Sequence, residues 1–81
     1  MSYRELDPVV LTRDIPELDL RRGDLGAIVQ VYGSTGVEVE FVRLSGLTQA
    51  LVTLNPDDVR PIDDHDLPAV RGATGPAHGA V

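Results

Sequence analysis

Three groups of acidic residues hold whatever chemistry this chain could do: Asp14, Glu17 and Asp19; Glu38 and Glu40; and Asp63-Asp64-His65-Asp66. The last has metal-ligating residue types. Adjacent ligands in a flexible segment cannot all converge on one ion, however, and a tight site needs ligands preorganised by a second shell. It is expected to be solvated, with no metal and no cofactor. Both histidines, His65 and His78, fall in the same polar C-terminal stretch, where nothing fixes a general base against a nucleophile. Ser34, Thr35 and Ser45 lie in turns, where conformation alone explains a small polar residue. The chain has no cysteine, hence no thiolate. These residues predict a protein that is not an enzyme. Asp14, Glu17, Asp19, Glu38 and Glu40 are then either plain solvated faces or partner-binding residues. In the second case a basic protein surface is what they would meet, with charge setting encounter rate and specificity more than affinity.

The charge balance points the same way. Thirteen acids against seven bases give a net charge of −6, and every base is an arginine. Phosphate backbones are bound mainly by neutralising cations, so long-range repulsion disfavours nucleic acid. The alternative is a nucleic-acid-associated barrel of the KOW type, which would require Arg21, Arg22, Arg43 and Arg60 to gather on one face. Gly23 to Gly26 is not a phosphate loop, because no Lys-Ser/Thr follows it and a strand comes next. Only three aromatics are present, too few for a polyproline groove or a base-stacking platform. The N-terminus has no apolar targeting core, and no apolar run approaches the roughly 20 residues that span a bilayer. Together with the missing cysteines this predicts a cytoplasmic protein with no membrane association.

Short β-branched runs must position these groups. After an arm over residues 1–7, Val9-Val10-Leu11-Thr12 reads as a first strand. Arg13 to Arg22 is a long loop that Ile15, Leu18 and Leu20 fold back on the core. A second strand starts near Leu25, with Gly26 marking a bulge or close backbone approach, and Gly33 to Gly36 turns it into a third. There Val37, Val39 and Phe41 alternate with Glu38, Glu40 and Val42, the pattern of a half-buried strand with one wet face. Leu47 to Leu54, apolar on both faces, reads as a central fourth strand. Asn55-Pro56-Asp57-Asp58 reads as a cap and a single 3-10 turn, and Val59 to Ile62 as a brief closing strand. The prediction is all-β: one small five-stranded SH3-like barrel over residues 8–62, closed so that it leaves no edges. Residues 63–81, rich in Pro, Gly and Ala, are expected to lack fixed structure unless a partner holds them. A core this small gains from burying more surface, which leaves a homo-oligomer open.

Val9 to Glu17, then Leu20 to Tyr32 with its Gly23-Asp24-Leu25-Gly26, then Val37 to Val42, Thr48 to Leu54 and Asp58-Val59-Arg60-Pro61 resemble a family of small bacterial proteins, the domain of unknown function DUF4926. The resemblance covers roughly residues 5–62. It implies an SH3-like barrel and brings no catalytic or binding residues. Some members look like companions of toxin-like proteins; the acidic charge, the lack of catalytic groups and the small rigid fold suit an antitoxin-like or immunity-like companion, or an accessory subunit.

Overall fold

The computed structural model describes residues 2–80. Six strands form one sheet in the order β5-β1-β2-β3-β4-β6, and the helical elements among the described residues are two short 3-10 turns, Pro16–Leu18 and Pro56–Asp58. The strands are β1 (Pro8–Leu11), β2 (Leu25–Tyr32), β3 (Gly36–Val42), β4 (Thr48–Leu54), β5 (Val59–Pro61) and β6 (Gly79–Ala80). All ladders are antiparallel except β4 with β6, which is parallel. The all-β class, the first five strands and the 3-10 turn before β5 stand as the sequence predicts.

The closed barrel does not. β5 and β6 are the two ends of the sheet, and among the described residues no ladder joins them. One cause is local: β5 is three residues long and ends at Pro61, which has no N–H to continue a ladder. β4 is also not central, since its outer neighbour is only the two-residue β6.

One face of the sheet buries Val9, Leu11, Ile28, Val37, Val39, Phe41, Ala50, Leu54 and Val59 in a single cluster. The long loop closes over this cluster as its apolar spacing predicts. Ile15 bridges Leu20 across a 3-10 turn (Pro16–Leu18), and all three of Ile15, Leu18 and Leu20 are buried. Asp19 ends that turn in the left-handed region at φ 56°, its N–H donating to the Pro16 carbonyl. Gln49, the buried polar residue, ties loop to sheet: its Nε2 donates to the Leu18 carbonyl at 3.1 Å and its Oε1 accepts from Arg43 Nε at 2.8 Å. A buried amide so satisfied adds specificity without an unpaired polar group.

β2 carries both features that its glycine suggests, at different places. The bulge is at Val29, where the register with β3 shifts between Ile28 and Gln30. The close approach is at Gly26, where a Cβ would lie 2.7 Å from Val39 Cγ1. Among the described residues, no helix is long and apolar enough to cross a membrane.

The segment after Asp63, whose composition predicts no fixed structure, is laid along the sheet. It leaves β5 at one end and reaches β4 at the other, where His78 N–H donates to the Gln49 carbonyl at 2.8 Å ahead of β6. The reason is polar and long-range: Arg71 chelates Asp24, 47 residues earlier. Composition does not encode such a contact.

Candidate protein-docking surface

With Val37, Val39 and Phe41 buried on the inner face, strand alternation turns Glu38, Glu40 and Val42 outward. The ladders then place Ala27 and Leu51 on either side of Glu40, and Gln30 and Thr53 on either side of Glu38. Two residues along a strand, the carboxylates emerge about 7 Å apart. They are the only charged side chains on the three long strands β2, β3 and β4, which carry no base. Thr48 Oγ1 donates to Glu40 Oε2 at 2.8 Å and fixes that carboxylate's direction. Around the pair lie apolar side chains: Ala27 and Leu51 half-buried, Leu25 and Val42 exposed by 61% and 48%. The outer face of β2–β3–β4 is therefore an acidic pair, with apolar neighbours beside Glu40 and the polar Gln30 and Thr53 beside Glu38.

The first-loop acids do not join it. Asp14 Oδ1 accepts the Arg22 N–H at 2.8 Å and so staples its own loop. Asp19 Oδ2 accepts from Thr74 N–H at 2.6 Å and from Thr74 Oγ1 at 3.1 Å. Glu17 is exposed on the 3-10 turn. Of the five residues picked from sequence, Glu38 and Glu40 are brought together and Asp14 and Asp19 are used within the chain.

Asp24 and Arg71 were missed. Asp24 sits between glycines that already account for the bend, and Arg71 is an isolated base in a polar stretch. In the structure Arg71 Nε donates to Asp24 Oδ1 at 2.9 Å, and Arg71 Nη2 to Asp24 Oδ2 and to the Asp19 carbonyl. No signal short of the fold itself links positions so far apart.

Two of the four arginines of the KOW-type reading, Arg43 and Arg60, stand apart. Arg43, just past β3, spends its guanidinium on Gln49 and on the Gly75 carbonyl. Arg60, on β5, binds Asp66 with two hydrogen bonds of 2.9 and 2.8 Å, so β1 and β2 separate it from β3 in the sheet. Hydrogen bonding from Arg60, with help from the Asp63 N–H, pulls the Asp66 carboxyl down to about 2. Asp63 Oδ1 accepts from the His65 N–H at 2.9 Å and lies 3.1 Å from His65 Nδ1. The acidic tetrad thus folds onto Arg60 and its own backbone. Two shallow clefts of about 310 Å³ each flank Tyr3, sharing Pro61. They offer one aromatic side chain, not the row that grips polyproline.

The tail contact has a pH signature. The Thr74 N–H, followed by the Thr74 hydroxyl and Arg71, holds the Asp19 carboxyl below its ordinary value. A carboxyl depressed in the docked state favours docking above its free pKa, and the preference is lost as pH falls through the lowered value. The tail is expected to stay docked at neutral pH and to loosen below about pH 4. Limited proteolysis at Arg71–His78 by an acid-active protease checks this. Cleavage that rises while the β-sheet circular dichroism signal persists is the expected result.

Among known proteins, the family model described as a domain of unknown function, DUF4926, matches residues 5–61. No curated protein and no solved structure matches the chain.

Proposed function

The chain belongs to the DUF4926 family, and we propose that it is a non-enzymatic protein-binding module that docks its outer β2–β3–β4 face on a basic protein surface. The observation that carries this reading is the isolation of Glu38 and Glu40. They are the sole charges on three long strands that carry no arginine, and Leu25 and Val42 are exposed on the same strands. Such a patch suits a partner that presents lysine or arginine flanked by apolar groups. The carboxylates would steer encounter and fix register, while Leu25, Val42 and Leu51 supply contact area. A small rigid module of this kind serves as an antitoxin-like or immunity-like companion, or as an accessory subunit, in a bacterial cytoplasm.

The test is the double charge reversal Glu38→Arg/Glu40→Arg. Against the isolated partner it should weaken binding at least tenfold, and the native complex should weaken as salt rises. Unchanged affinity with an intact fold would remove the face from consideration. A KOW-type arginine face has less support, because Arg43 and Arg60 are both engaged within the chain and stand apart. Labelled RNA that fails to bind at low salt would close that reading.

A further inference from the structure

The segment beyond Asp66 is held in a way that suits exchange between copies. Its attachment is polar throughout: Arg71 on Asp24 and the Asp19 carbonyl, Thr74 on Asp19, the Gly75 carbonyl on Arg43, His78 on the Gln49 carbonyl, then the two residues of β6 on β4. Among the described residues, no side chain beyond Val59 is buried in the core. Between the two fixed points, Asp66 on Arg60 and Arg71 on Asp24, residues 67–70 are all exposed and make no hydrogen bond to other described residues. Within this hinge stand Leu67 and Val70, 88% and 83% exposed, around Pro68. The docked arm also leaves Arg71 Nη1 buried without a hydrogen-bond partner, 3.9 Å from Asp19 Oδ1.

We propose that residues 71–80 are an exchangeable arm and that two copies of the chain pair by trading arms. The arm's hydrogen bonds all go to β4, to Arg43 in the β3–β4 turn and to the loop that ends at Asp24, so a second copy offers the identical seat and no such bond is lost on exchange. What is gained lies in the hinge. In the exchanged pair the two 67–70 segments run beside one another, and the four apolar side chains left in solvent by the single chain cover each other. An arm arriving from a second copy can also seat Arg71 with Nη1 brought onto Asp19, the contact left at 3.9 Å in the single chain. Two arms crossing at once make each contact intramolecular after the first, which raises avidity without any new recognition chemistry. The outer β2–β3–β4 face takes no part, so the inference is independent of the docking surface.

Two full-length variants test it, Asp24→Arg and Arg71→Asp. Each alone sets like charges against each other at the arm's seat, in its own chain and in a second copy of itself. Mixed, each arm finds its opposite charge only on the other variant. Both variants keep a net negative charge, so bulk attraction does not pair them. Thermal melts by circular dichroism confirm that each is folded. Light scattering on an equimolar mixture should show the mass doubled relative to either variant alone. A mixture that keeps the single-chain mass overturns the proposal. So does either variant pairing alone as well as the mixture, because the link would then lie elsewhere.

Discussion

Ile28→Ala is expected to remove about 2–5 kcal/mol of folding stability. Ile28 has no exposed surface and stands opposite Val39, which is equally buried, at the centre of the cluster. Its backbone also holds the N-terminal arm: Ile28 N–H donates to the Asp7 carbonyl at 2.9 Å, and its carbonyl accepts the Leu6 N–H at 2.7 Å. The truncation leaves those bonds in place and removes only side-chain packing, so the loss measures the core itself. A domain of this length holds roughly 4–12 kcal/mol in total, and the variant should lose a large part of it. Urea unfolding followed by circular dichroism reads the effect. The neighbouring Val29→Ala, at the half-exposed bulge, should stay within about 0.5 kcal/mol of wild type. Equal losses at the two positions would contradict the assigned facing of β2.

The second large effect is at Gly26. A Cβ there would meet Val39 Cγ1 at 2.7 Å, Phe41 Cε1 at 2.9 Å and the Glu40 carbonyl oxygen at 3.1 Å. Val39 and Phe41 are core side chains with no free end to swing away. Gly26→Ala must therefore push β3 outward or force both off their rotamers, at a cost of about 1–3 kcal/mol. The backbone conformation is not the reason, since Gly26 is not among the glycines with positive φ. Gly72→Ala, with open space around the added carbon, is the matched control and should be neutral. A Gly26→Ala protein as stable as wild type would mean that β2 and β3 lie farther apart than this.

These effects also show what the sequence makes legible. The facing of β3 is explicit, because a strand alternates with period two and Val37, Val39 and Phe41 occupy every second place. That alone aims Glu38 and Glu40 outward, so the docking face is half visible in the chain. Its other half, the register that sets Ala27 and Leu51 beside Glu40, depends on a bulge at Val29 that no residue there announces. Asp14 and Asp19 look like surface charge in the sequence, because their partners are a backbone N–H eight residues on and a threonine 55 residues on. Barrel closure is a property of strand ends, and Pro61 limits one of them. The laid-down tail depends on single long-range polar contacts, and its larger apolar residues, Leu67 and Val70, stay in solvent.

The measurement that tests the central claim most directly is affinity purification of the tagged protein from its own host, beside the Glu38→Arg/Glu40→Arg variant. The account predicts one protein of basic surface recovered in near-equal amount with the native chain, and lost with the variant while the variant stays folded. A partner retained equally by both would contradict it, and so would nucleic acid in the native eluate in place of a protein.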